Sequence, residues 1–162
     1  MLGLVPARGG AKGVPGKNTR LLAGRPLLQY TARAALASGV LRRVILSTDS
    51  TEIADCGRRA GLEVPFMRPA ALAEDDTPML PVIEHALDEL GRQGWEPAVG
   101  VLLQPTSPLR TPAHIRAAVE QLHQTGADSV VSVVAVPPHL SPDYVMRIDD
   151  GRLRPFLPEG GH

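Results

Sequence analysis

Cysteine is nearly absent from this chain; Cys56 is the only one. That excludes an internal disulfide framework and suits a reducing cytoplasm. Aromatic residues are scarce too, at 3% of the chain, so there is little surface on which single-stranded nucleic acid would stack. Net charge is zero, which removes the overall attraction that basic proteins have for nucleic acid or membranes. No apolar run approaches the roughly 20 residues that a membrane span needs. The N-terminus lacks the basic start and long apolar core of a signal peptide. The expectation from these gaps is a cytoplasmic protein that works on small molecules, with neither nucleic acid nor membrane as a partner.

One absence is local. Residues 1–48 hold eight basic residues (Arg8, Lys12, Lys17, Arg20, Arg25, Arg33, Arg42 and Arg43) and no acid, and all 17 acids begin at Asp49. A basic segment on a neutral chain points to a local anionic ligand. What is plentiful is the material of turns, with 16 Pro and 16 Gly. Apolar runs recur between them, so the composition reads as a globular domain rich in loops, and a length of 162 residues makes one domain the default.

Within the basic segment, the stretch Ala7 to Asn18 follows the short apolar run Leu2–Pro6 and precedes a helical pattern that starts near Pro26. Gly9, Gly10, Gly13 and Gly16 let backbone N–H groups approach a ligand without obstruction by Cβ atoms. Arg8, Lys12 and Lys17 add three cations. A strand, a glycine-rich basic loop and a helix make a common phosphate-binding arrangement. The two familiar phosphate signatures do not fit. In a P-loop register, Ala11 stands where the first Gly is required, and Asn18 where a hydroxyl residue is required. Gly10, Gly13 and Gly16, spaced by three, do not match the dinucleotide fingerprint either.

Along the rest of the chain, apolar strands alternate with helical spacing. Leu27, Leu28, Thr31, Ala34 and Ala35 predict a helix stopped by Gly39, and Arg43–Ser47 a second strand. Asp49, with Glu52 three residues on, predicts a capping box for a helix that carries Ile53, Ala54 and Cys56. Glu63–Phe66 reads as a short extended piece near a sheet edge, and residues 67–78 as a long loop in which Thr77 caps a helix with Pro78 at its first position. The run Val99–Leu103 reads as a strand covered on both faces. The loop 104–110 follows, then a helix begun by Thr111 and Pro112 and closed by Gly126, then a strand over Ser129–Val136. From Pro137 the pattern changes, with Asp149-Asp150-Gly151 predicting a hairpin turn. The expectation is an α/β fold, a Rossmann-like mostly parallel sheet over residues 1–136, with a C-terminal β-hairpin arm beginning in 137–162. In such sheets ligands bind beyond the carboxyl ends of the strands, which groups the basic loop with Asp49, Arg68 and Gln104.

Four ordered stretches carry a resemblance. They are Pro6–Asn18; Ser47-Thr48-Asp49; Val64–Pro69 with Leu72, Ala73 and Asp75; and Leu102–Arg110. Together they resemble the acylneuraminate cytidylyltransferases, the CMP-N-acetylneuraminic acid synthetases, and Ala127–Val133 agrees as well. The resemblance implies a nucleotidyltransferase fold of the cytidylyltransferase type. It also implies CTP as donor, Mg²⁺, a small sugar-acid acceptor and a homodimer. It places Ala7, Arg8, Gly9, Gly10, Lys12, Lys17, Asn18 and Arg68 at the nucleotide, with Arg8, Lys12 and Lys17 on the triphosphate, and Gln104 at the acceptor. Arg8 and Lys17 are the residues through which it puts charge stabilisation into catalysis.

The chain departs from the family pattern in two ways. The family continues, beyond a position matching His162, with an Asn-Gly-Ala-Ile-Tyr-like segment and a metal-binding carboxylate, so the metal ligands stay unassigned. Thr77-Pro78-Met79 also stands where the family places small hydroxyl residues. Other readings are CMP transfer to a different acceptor (an ulosonic acid, a phosphonate or a phosphate) and a non-catalytic nucleotide-binding homologue.

Overall fold

The computed structural model describes residues 1–10, 13–137, 139, 141 and 145–156. Two compact units emerge, Met1–Val130 and Val131–His162.

The first unit is built on strand β1 (Leu2–Pro6), which is buried along its whole length. It pairs in parallel with β4 (Arg43–Ser47) on one side and with β5 (Gly100–Leu102) on the other. Beyond β4, Glu63 forms an isolated parallel bridge with Ile45, its N–H donating to Val44 and its carbonyl accepting from Leu46. Read across the sheet, the order is Glu63, β4, β1, β5. The chain thus builds outward from β1 in one direction and then returns to β1's other side. That reversal is a topological switch point, and the crevice at the strand ends there is where open α/β sheets take ligands.

The helices follow the sequence expectation closely. Helix α1 (Leu27–Ser38) ends at Gly39, which adopts the left-handed conformation at φ 71°. Helix α4 (Pro112–Thr125) starts at Thr111, whose hydroxyl accepts the His114 N–H in a capping box, and it closes at Gly126. Two other helix starts differ. Ser50, not Asp49, caps α2 (Thr51–Arg59), with its side chain accepting the Ile53 N–H. Helix α3 (Met79–Arg92) begins after Pro78 without a side-chain cap, so Thr77 has no capping role there. The core has two clusters, with Val5, Leu28, Leu46 and Ile53 in the larger and Leu2, Leu4, Ile45, Ala86 and Leu90 in the smaller.

A miniature hairpin escaped the sequence reading: β2 (Leu21–Leu22) and β3 (Arg25–Pro26) pair antiparallel around Ala23 and Gly24, both at positive φ. Strand β5 also differs from expectation. The sequence pattern predicts cover on both faces, but Leu102 is 40% exposed and only β1 flanks the strand among the described residues. Ser129–Val136, read as a strand, carries no strand, and Val131 and Val133 are largely exposed.

In the second unit, β6 (Met146–Asp149) and β7 (Arg152–Pro155) form the antiparallel hairpin expected from the sequence. Asp150 and Gly151 sit at the turn with φ 49° and 72°, as a two-residue primed turn demands. The hairpin exposes Met146, Ile148, Leu153 and Phe156.

Candidate functional site

The parallel register carries β1 and β4 to the same height, Pro6 opposite Ser47. The Ala7 N–H extends the pairing to the Ser47 carbonyl at 3.0 Å. The chain therefore leaves the sheet at Arg8, at the carboxyl edge. Asn18 closes the loop. Its Nδ2 donates to the Arg8 carbonyl at 3.0 Å, and its own carbonyl accepts the Leu28 N–H at the start of α1. Asn18 is buried, so both ends of the glycine-rich loop are held against the first helix.

Asp49, released from capping, serves this loop. Its Oδ1 accepts the Gly9 N–H at 2.9 Å. The approach leaves little space, since a Cβ on Gly9 would stand 3.2 Å from the Ser50 Cβ. A side chain at residue 9 would push the loop off its acceptor.

The long loop after Phe66, which includes a short 3₁₀ turn at Ala70–Leu72, folds back over the same edge. Arg68 is 6% exposed. Its Nε donates to Ser47 Oγ at 3.1 Å and its Nη2 to the Ser47 carbonyl at 2.6 Å, and its backbone N–H meets the Thr48 carbonyl at 2.8 Å. Burial pulls its pKa below the usual arginine value, while Asp49 nearby opposes that fall and Arg8 adds to it. An arginine starts so high that it stays charged, and a buried guanidinium satisfied by carbonyls keeps a positive field under the loop. From further along the same loop, the Ala73 carbonyl accepts from Arg8 Nη1 at 3.2 Å, and Asp75 forms an ion pair with Arg8 Nη2.

On the far side of β1, Leu103 N–H donates to the Leu4 carbonyl at 2.8 Å and delivers the segment from Gln104 to Thr106 beside the basic loop. The Gln104 carbonyl accepts from Arg110 Nη2 at 3.3 Å, so Arg110 braces this turn from behind.

These segments enclose a cleft of about 200 Å³ lined by Pro6, Ala7, Arg8, Lys17, Asn18, Arg68, Met79, Gln104, Pro105 and Thr106. It lies at the switch point between β1 and β5. Of the residues expected at the site, Ala7, Arg8, Lys17, Asn18, Arg68 and Gln104 share this one wall. Gly9 and Gly10 lie just outside it, Gly9 turned to Asp49 and Gly10 exposed. Lys12 lies outside the described residues. The sequence reading missed Pro6, Met79, Pro105 and Thr106 as lining residues. Position in the motifs was the available signal for Pro6, Pro105 and Thr106, whereas Met79 shows itself only once α3 is known to start there.

Lys17 forms no ion pair among the described residues, and it faces the cleft with Arg8 and Arg68. Such a site attracts an anion. It offers one guanidinium with donors to spare and one ammonium, over a base that holds a buried third cation. Among the described residues no three His, Cys, Asp or Glu side chains converge as a metal cage. Asp49 and Asp75 are already engaged with Gly9 and Arg8.

Comparisons with known proteins identify the family and the fold. The chain is 42% identical over 149 residues to the CMP-N,N'-diacetyllegionaminic acid synthase of Legionella pneumophila, an alignment covering 92% of this chain and 63% of that protein. It is 37% identical over 151 residues to the N-acylneuraminate cytidylyltransferase of Escherichia coli, covering 93% of this chain and 34% of that one. The chain thus spans between about a third and two thirds of these relatives' lengths. Among solved structures, a CMP:2-keto-3-deoxy-manno-octonic acid synthetase complexed with CTP matches 78% of this chain and 48% of its own, with a TM-score of 0.64 at 20% identity. That likeness establishes the fold. The family model described as cytidylyltransferase matches residues 2–139, a span that takes in every loop forming the cleft, and the chain belongs to that family.

Proposed function

We propose that this cleft binds CTP and that the protein transfers CMP from it to the anomeric hydroxyl of a sialic-acid-like nonulosonic acid, releasing pyrophosphate. One observation carries the reading. Arg8, Lys17, Asn18, Arg68 and Gln104, drawn from three separate stretches of sequence, line a single cleft at the switch point of the sheet. The names of the Legionella and Escherichia coli relatives support the acceptor class.

The chemistry asks for little beyond what the described residues provide. In-line attack at the α-phosphorus spreads negative charge over phosphoryl oxygens and the departing pyrophosphate, so preorganised cations and positioning supply most of the catalysis. Arg8 offers a planar fork to two phosphate oxygens, and Lys17 a compact charge. Lys12 belongs to the same loop and is assigned to the same triphosphate. Gly9 and Gly10 keep the backbone low enough for phosphate to approach. Asn18 fixes the loop through Arg8 and retains its side-chain oxygen for the nucleotide. Arg68 holds positive charge beneath the nucleotide, and Gln104 faces the acceptor side.

Mg²⁺ enters this scheme as part of the nucleotide complex, because that ion keeps several waters and takes phosphate oxygens readily. The described residues make no cage for it, and none of the roles above depends on one. The acting form is a homodimer, a reading supported by the exposed apolar face of the β6–β7 hairpin, and its place is the cytoplasm, where a lone cysteine stays reduced.

Thermal stability measured with Mg²⁺ and each of CTP, UTP, GTP and ATP tests the nucleotide half, since a ligand that binds only the folded state raises the midpoint. A rise selective for CTP is expected. Pyrophosphate release with a panel of nonulosonic acids, an octulosonic acid and a phosphonate then tests the transfer. CTP binding with no pyrophosphate from any acceptor would replace the enzyme reading with a nucleotide-binding module.

A further inference from the structure

We propose that Asp75 is a positioning residue for Arg8, fixing the direction in which that guanidinium meets the phosphates of a bound nucleotide. The proposal rests on the reading of the cleft as a CTP site and assigns a role to an acid outside the cleft wall.

Arg8 is gripped at both ends. Its carbonyl accepts Asn18 Nδ2 at 3.0 Å. Its guanidinium reaches a turn more than sixty residues along the chain, donating from Nη1 to the Ala73 carbonyl at 3.2 Å and pairing through Nη2 with Asp75. An acid beside a polyanion site is unfavourable in itself, because it weakens the field that draws phosphate in. Something must offset that cost, and fold stability is a poor candidate. The two side chains are 28% and 31% exposed, and ion pairs this open contribute little to folding. Orientation is a better account. An arginine side chain on a surface loop samples many rotamers, and each must be lost when phosphate binds. With two N–H groups held by the 73–75 turn, the plane of the guanidinium is set in advance. Its remaining donors then present a fixed edge along the cleft wall that Arg8 shares with Lys17. Asn18 fixes the root of the side chain and Asp75 its tip, so the loop after β1 and the loop after Phe66 act as one clamp.

Two measurements on the whole chain test this. The first needs no nucleotide. The ¹⁵N relaxation of the Arg8 Nε–H, assigned by its loss in Arg8→Lys, is expected to show an ordered group in the wild type and in Asp75→Asn, whose amide oxygen still accepts. Asp75→Ala is expected to leave it mobile. The second is titration with CTP and with cytidine. Asp75→Ala is expected to weaken CTP about tenfold, the scale of one oriented charge-assisted contact, with cytidine unchanged and Asp75→Asn recovering most of the loss.

Arg8 equally mobile in the wild type and Asp75→Ala would overturn the proposal. So would Asp75→Ala binding CTP as tightly as wild type or tighter, or losing CTP and cytidine alike. A wild type with an ordered Arg8 but no affinity for CTP would overturn the proposal together with the nucleotide reading. CTP binding that ignores Asp75 would overturn the proposal alone.

Discussion

Arg8 is the residue on which the site turns. It stands at the carboxyl end of the central strand, its backbone is fixed by Asn18, and its side chain lies on the cleft wall. Replacing Arg8 with Ala removes charge-assisted contacts worth about 1.5–3 kcal/mol, which corresponds to roughly 10- to 150-fold in the Kd for CTP. Isothermal titration should show that loss with little change in Tm, because Arg8 fills no core space. Equal affinity in the variant would remove Arg8 from the site. Cys56 gives a prediction of the opposite kind. Burial pushes its thiol pKa up, with Arg59 pulling it back and Glu52 adding to the rise. The thiolate is the reactive form, so at pH 8 iodoacetamide should label the folded protein much more slowly than the same chain in urea. Comparable rates would mean that the thiol is not enclosed. The sequence announced these two residues unequally. Arg8 was legible because its loop carries charge and glycine together. Asp75, its partner, was not, because nothing local tells a loop acid which distant cation it will meet.

At the scale of elements, the helices were legible wherever the ends carried their own chemistry. Gly39, Thr111 and Gly126 stand where the pattern put them because a left-handed stop or a hydroxyl cap acts within one turn. Asp49 and Ser50 show the limit. Both can cap, and the choice was made by the loop after β1, whose Gly9 N–H takes the Asp49 carboxylate and leaves the cap to Ser50. Strand β5 was legible as a strand but not in its exposure, because a short apolar run does not reveal which neighbours will cover it. Helix α2 adds a packing constraint that no pattern discloses. A Cβ at Gly57 would stand 2.3 Å from Leu46 Cδ2, and Leu46 is fully buried in β4. Gly57→Ala gains helix propensity of about 1 kcal/mol but must push a core leucine off its rotamer, which costs ~1–3 kcal/mol. The net expectation is a loss of about 1 kcal/mol, read as a Tm lower by a few degrees. A more stable variant would mean that Leu46 finds a second rotamer at no cost.

For the molecule as a whole, the β6–β7 hairpin sets the question, because a lone two-stranded hairpin with a wet apolar face is marginal in water. Ile148 sits opposite Leu153 across the ladder, and the two are 78% and 68% exposed. A cross-strand apolar pair of that kind helps hold the hairpin, yet most of its surface stays in water unless something covers it. A second copy of the chain is the occupant that the proposed homodimer supplies, and in a closed two-fold pairing the same patch serves both partners. Light scattering after size exclusion should then give twice the chain mass. Ile148→Asp should shift the population to single chains, because two buried carboxylates would face each other across the axis at a cost no contact there repays. The substitution lies in the second unit, so it removes no contact that the first unit makes within itself. If the cleft is complete within one chain, the monomeric variant should show the same selective CTP stabilisation as the wild type. If both dimerisation and CTP stabilisation are lost, the partner completes the cleft. A dimer that survives Ile148→Asp would place the interface away from the hairpin face.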